Sequence, residues 1–279
     1  MKRLTRRALP ARLLPVLALA APAAVALGAA PASAENAPVS FSYADCPDSL
    51  PVGADPGDWI CNNIVIAGGT MKIGSIEQKI TKPISMTVQT GYVPATGQNR
   101  NIFVKLRSQP ETVPGGALGI PGTEDVPLMK LEAQTKYVGN FTLGQTEAGG
   151  IASTIDLRIK AINTLLGNDC YIGSKAEPVK LNLLSDDSTI TWYDDALGMT
   201  MKDTTFAAPG TSGCGLLGGF ANVRSGLPAA SGKNSASLQM YLASKPYTEL
   251  FPTLRAKAKS RSATGMLPLG LPKALKTGS

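Results

Sequence analysis

The chain contains no histidine. That absence removes Ser-His-Asp and Cys-His nucleophilic mechanisms and the usual zinc hydrolases. No C-x-x-C spacing is present either, which leaves no framework for a structural zinc site. Neither S-x-x-K nor G-x-S-x-G occurs, so serine acyl transfer has no nucleophile motif. Aromatic residues make up only 5% of the chain, and no second apolar run of membrane-spanning length follows the first thirty-odd residues. A basic body for gripping nucleic acid is also lacking. Of 27 basic and 20 acidic residues, five of the basic ones lie in residues 1–34 and six follow Phe251, which leaves the body with 16 basic residues against all 20 acids. The high isoelectric point therefore belongs to the two ends, and a DNA- or RNA-binding function is not expected.

The first residues carry a compartment signal. Lys2, Arg3, Arg6, Arg7 and Arg12 precede an Ala/Leu/Val-rich stretch, and Ala32-Ser33-Ala34 is a small-residue cleavage site before Glu35. Residues 1–34 read as a cleaved signal peptide for ordinary secretion, because Thr5-Arg6-Arg7-Ala8 does not complete a twin-arginine pattern. Cys46 lies too far past the cleavage site, in the wrong context, for a lipid anchor. The expected location is extracellular, with loose association with the cell envelope.

Four cysteines in an exported chain imply two disulfides with three pairings. Sequence order favours Cys46–Cys61, which encloses a loop of turn formers (Pro47, Pro51, Gly53, Pro56, Gly57), and Cys170–Cys214. Gly213, Gly215 and Gly218 match the dinucleotide fingerprint G-x-G-x-x-G. However, a turn precedes them and no acid lies between Asp203 and Glu249, so the stretch reads as a disulfide turn. No cofactor is expected.

Residues 35–251 read as an all-β, sandwich-like body, formed as one sandwich or two packed sub-domains, with one short helix. Strand patterns fall at 63–67, 70–73, 84–90, 102–107, 126–138, 152–163, 179–183 and 235–242, and 188–193 with 198–202 reads as a hairpin. A Pro/Gly-rich loop spans 110–122. Between Gly215 and Gly226, Leu216, Leu217, Phe220 and Val223 recur at helical spacing. Residues 252–279 carry charge, Pro and Gly without acid or aromatic and read as a disordered basic tail. Arg255, Lys257, Lys259 and Arg261 are the residues that would tether it to anionic envelope polymers or lipids.

Three stretches, Cys170-Tyr171-Ile172-Gly173-Ser174, Phe206-Ala207-Ala208-Pro209-Gly210 with Gly213-Cys214-Gly215, and Gly226 to Asn234 (GLPAASGKN), together resemble a group of secreted actinobacterial proteins of unknown function. The resemblance covers residues 150 to 245. It implies an exported, β-rich protein, and it carries no catalytic residue across.

With histidine chemistry gone, carboxylate chemistry remains, and it needs two acids on either side of a bond. Asp186-Asp187, Asp194-Asp195 and Asp203 form the densest acidic group, with Trp192 and Tyr193 beside them for sugar stacking. Asp186, Asp187, Asp194, Asp195 and Trp192 are thus the candidate ligand or calcium site. The competing role is ordinary, since paired aspartates are common turn formers at strand ends. Abundant Leu, Ile and Met would suit either a plain core or a lipid cavity. The function expected is a non-catalytic secreted or envelope-associated β-protein, with a carbohydrate-active or carbohydrate-binding protein, or an extracellular lipid carrier, as the alternative.

Overall fold

The computed structural model describes residues 35–256. Their strands are β1 (Trp59–Ile73), β2 (Ile76–Ile80), β3 (Ile84–Val93), β4 (Gln98–Arg107), β5 (Glu111–Thr112) and β6 (Glu132–Gln145). They continue with β7 (Ile151–Ile162), β8 (Tyr171–Ile172), β9 (Val179–Trp192), β10 (Leu197–Asp203), β11 (Thr211–Ser212) and β12 (Ser235–Pro246). A short helix α1 (Gly218–Ser225) precedes β12, and a single turn α2 (Tyr247–Leu250) follows it. All pairings are antiparallel. The main order is β4-β3-β1-β12-β10-β9-β7-β6, with β2 on β1, β5 on β6, and β8 on β7 where it carries β11.

The strands form where apolar side chains alternate, because alternate residues point to one face. Ile155, Leu157 and Ile159 of β7, Val179, Leu181 and Leu183 of β9, Met199 and Met201 of β10, and Leu238, Met240 and Leu242 of β12 all turn inward. They meet Ile64 and Ile66 of β1 and Met86 and Val88 of β3 in one core. The sheet curls so that its halves face each other across that core, which gives the all-β, sandwich-like body in a single unit.

The two edges of the curl, β4 and β6, meet without a backbone ladder. Side chains join them instead. Phe103 stacks on Tyr137 with ring centroids 3.6 Å apart, Ser108 Oγ donates to Thr135 O at 2.6 Å, and Gln134 Nε2 donates to Ser108 O at 2.6 Å. A buried relay crosses the same seam. Ser244 Oγ donates to Asn62 Oδ1 (2.6 Å), Asn62 Nδ2 to Thr90 Oγ1 (2.8 Å), Thr90 Oγ1 to Asn101 Oδ1 (2.8 Å), and Asn101 Nδ2 to Leu143 O (2.7 Å). Five strands, from β12 to β6, are tied by one chain of polar side chains.

Both disulfides form as the cysteine order implied, Cys46–Cys61 and Cys170–Cys214. The first fixes residues 37–46 across the outer face of β1, where Trp59 and Tyr247 pack around it fully buried. Asp45 then reaches β4, accepting from Arg107 Nε and Nη2 at 2.5 and 2.6 Å, and the Arg107 hydrogen bonds hold its carboxyl below the ordinary aspartate range.

Three boundary expectations fail. Residues 63–67 and 70–73, drawn as separate strands, are one strand, β1, which passes Gly68 and Gly69 with a bulge. The strand drawn over 126–138 begins only at Glu132, because Pro127–Met129 forms a 3-10 turn that continues the preceding loop. The hairpin drawn from 188 is one end of a longer strand, since β9 runs unbroken from Val179 to Trp192 with a bulge opposite Gly198–Thr200. Of the expected basic tail, Pro252–Ala256 forms a 3-10 turn, and Lys257, Lys259 and Arg261 lie outside the described residues.

Two outcomes check this frame. Replacing Cys46 and Cys61 with serine should lower unfolding free energy by about 3 kcal/mol, and replacing Cys170 and Cys214 by about 4, since the second pair closes the longer loop; urea titration measures both. Asn101→Ala should cost about 1–3 kcal/mol, because it leaves the buried Thr90 and Leu143 groups at the seam unpaired. An unchanged urea midpoint in Asn101→Ala would show that the relay does not close the sheet.

Candidate functional site

The aspartates singled out from sequence do not converge. Asp186 lies inside β9 rather than at a strand end, with its carboxylate taken by Lys202 Nζ (2.6 Å) and Ser188 Oγ (2.6 Å). The Lys202 hydrogen bond pulls its pKa below the ordinary range. Asp187 accepts from Ser185 Oγ at 2.7 Å. Asp195 Oδ1 accepts from Ala37 N at 2.9 Å, and Asp194 N donates to Glu35 O, so the second pair fastens the N-terminal segment to the β9–β10 turn. Asp203 is buried and receives Asn182 N, Thr205 N and Thr205 Oγ1. Trp192 stands 55% exposed at the end of β9. Among the described residues no three His, Cys, Asp or Glu side chains group as a metal site. The turn-forming role fits Asp194 and Asp195, whereas Asp186 and Asp187 are strand residues braced by their neighbours.

A different place stands out. Where the β1–β2 hairpin and the start of β6 diverge, the core opens into an apolar cavity of about 110 Å³. Met71 and Ile73 of β1, Ile76 and Ile80 of β2, Val113, Leu131 and Ala133 near β5 and β6, and Ile159 of β7 form its walls. A second, separate void of about 40 Å³ is lined by core residues and shares Met71, Ile80, Ile84 and Thr135 with the first, so these side chains stand between the two.

Its roof is α1 with the loop between β5 and β6. Cys170–Cys214 bolts the turn before α1 to the end of β7. The Gly213–Gly218 stretch is therefore the disulfide turn read from sequence, and its purpose here is to hold the roof. At the other end of α1, Ser75 N donates to Ser225 O (2.9 Å) and Ser75 Oγ to Arg224 O (2.9 Å). Gly74 makes that docking fit: it sits at φ +60°, and a Cβ there would meet Ser225 O at 2.1 Å. Asn163 Nδ2 holds the loop by donating to Leu128 O and Lys130 O at 2.8 and 2.7 Å.

Three polar side chains break the apolar lining. Glu111 is buried, and it accepts from Thr81 N (2.8 Å), Lys82 N (2.6 Å), Thr81 Oγ1 and Gln78 Nε2. Its carboxylate is satisfied by the β2–β3 turn. Gln78 Oε1 and Arg224 Nε are buried with no hydrogen-bond partner among the described residues. The amide orientation of Gln78 is not free, because flipping it would turn oxygen toward Lys79 O and Glu111 Oε2, both acceptors. The Arg224 guanidinium lies flat on Gly119, where a Cβ would come within 2.4 Å of its atoms.

The apolar residues at helical spacing face outward. Leu216, Phe220 and Val223 are exposed, while Ala221 and Arg224 turn to the cavity that Phe220 also lines. Sequence reading passed over Gln78, Glu111 and Arg224. Gln78 and Glu111 stand among other polar residues of short strands, whereas Arg224, the one cation of α1, was the available signal. Arg255 lies in the 3-10 turn Pro252–Ala256.

No protein-family model, curated protein or solved structure matches the chain.

Glu111→Ala should lower stability by about 2–3 kcal/mol, because two backbone N–H groups and the Gln78 amide lose their shared acceptor. Asp186→Asn should leave the denaturant midpoint nearly unchanged, as expected for an exposed ion pair. Denaturant midpoints distinguish the two, and a larger loss for Asp186→Asn would reverse the assignment of the braced site.

Proposed function

We propose that the protein is a non-catalytic, exported β-protein that binds an apolar chain in the cavity beneath α1, acting as an extracellular lipid carrier or sensor. The observation that carries this reading is a void walled by aliphatic side chains, adjoining a second void in the core, with two unpartnered polar atoms on its lining residues. Ligand sites have this composition: an apolar wall with a few placed polar groups. The compartment part rests on the export signal read in residues 1–34, and two disulfides fit an oxidising location. A loose tether through Arg255, Lys257, Lys259 and Arg261 to anionic envelope polymers or lipids would keep such a carrier near its source. The carbohydrate reading draws less support, since the carboxylates around Trp192 are already engaged by their neighbours.

The test is uptake. Gently purified protein should release an amphiphile on organic extraction, seen by mass spectrometry. Stripped protein should take up N-phenyl-1-naphthylamine saturably, with one site per chain. At a hundredfold excess over Kd, a bound ligand stabilises by about 2.7 kcal/mol, which raises the melting temperature by several degrees. Ala221→Trp fills the cavity from α1 and should abolish both effects while leaving the fold intact by circular dichroism. Uptake equal in wild type and Ala221→Trp, or none in wild type, would overturn the reading.

A further inference from the structure

We infer that the ligand of this cavity is an anionic amphiphile, its single apolar chain in the void and its carboxylate or phosphate head held by Arg224; the inference rests on the cavity-binding function proposed above. Four charged side chains line the space: Glu111, Glu132, Lys160 and Arg224. The acids are already compensated. Glu111 is saturated by the β2–β3 turn, and Glu132 pairs with Lys130 at 3.1 Å. Neither cation forms an ion pair among the described residues. Both cations are thus left without an ionic partner among the described residues, and the buried Nε of Arg224 without an acceptor, which an anion entering the space would supply.

Arg224 is also shaped for the task. Stacking on Gly119 fixes the guanidinium plane, and its backbone is clamped by Ser75. A planar, fixed fork of N–H donors suits a carboxylate or phosphate, and each contact with a charged acceptor is about twice as strong as a neutral hydrogen bond. Gln78 Oε1 adds an acceptor on the same lining, with its orientation fixed. A head group that also carries a hydroxyl would satisfy it. Gly119 sits at φ +74°, where glycine is favoured, and a Cβ there would push the guanidinium aside.

Four probes with the stripped full-length protein test the inference by isothermal titration, their chains short enough for a void of about 110 Å³: pentanoate, pentyl phosphate, pentanol and inorganic phosphate. Both anionic chains should bind at least about tenfold more tightly than pentanol, and inorganic phosphate should bind undetectably. The ratio of pentanoate to pentyl phosphate affinity distinguishes a carboxylate from a phosphate source. Arg224→Gln should erase the preference for the anions while pentanol binding stays within about twofold, and Arg224→Lys should retain part of it. Melting temperature checks that each variant folds, and the wild-type comparison of anion with alcohol stands without them. If pentanol and the anions bind alike, the head-group inference is wrong and the carrier reading survives. If inorganic phosphate binds as well as pentyl phosphate, the site is an anion site without a chain pocket and the inference also falls. If no chain binds at all, both readings fall together.

Discussion

Everything in this molecule depends on closing a curled sheet along an edge where the backbone makes no ladder. An unpaired strand edge exposes a row of N–H and C=O groups, which invites association with other chains. Here β4 and β6 cover each other with aromatic rings and side-chain amides, and the Ser244-Asn62-Thr90-Asn101 relay extends that closure through the neighbouring strands. Side-chain closure tolerates divergence as backbone pairing does not. At the relay end the edges are drawn together. At the other end Glu111 ties β5 to the β2–β3 turn, and the cavity is the space left between that tie, the β5–β6 loop and α1. The same constraint thus accounts for both the rigid end and the hollow end.

The hollow end needs support that the core does not supply, and the chain provides it locally. A disulfide fixes one end of α1, a hairpin turn with glycine at position 74 receives the other, and Asn163 pins the loop. These restraints are covalent or polar rather than apolar, so the roof stays in place without filling the space beneath it. That distinguishes the cavity from a simple packing defect, which neighbouring side chains would relax to fill.

Much of the frame was legible in the sequence because its signals are short-range. Alternation in Ile155 to Ala161 and in Val179 to Leu183 marks strands that form as read, and cysteine order yields the correct pairs. The glycine pattern around Cys214 reads as a disulfide turn, and Cys170–Cys214 forms there, although the two-residue strand β11 stands just before it where the sequence suggests only a turn. What failed depends on long-range contacts. Residues 126–131 have an apolar content that suits a strand, but Pro127 and the docking of the loop on Asn163 hold them in a turn. Leu216, Phe220 and Val223 share helical spacing, but the face that meets the body is the one carrying Ala221 and Arg224. The aspartate cluster is dense along the chain, yet each carboxylate takes a different partner. Gln78, Glu111 and Arg224 are far apart in sequence, and only the curl of the sheet brings them to one lining.

The absence of histidine gains meaning from the cavity's chemistry. Histidine is the one side chain whose ordinary pKa falls between pH 5 and 8, and the chain has none. What the lining offers instead is a guanidinium, Arg224, and the unpartnered amide oxygen of Gln78. Backbone N–H groups of the β2–β3 turn donate to the oxygens of Glu111, so that carboxylate is directed away from the guanidinium's donors and toward the turn. Under the function proposed above, such a lining would serve recognition of an anionic head, since a guanidinium beside an apolar wall offers a charged donor where little water competes for it.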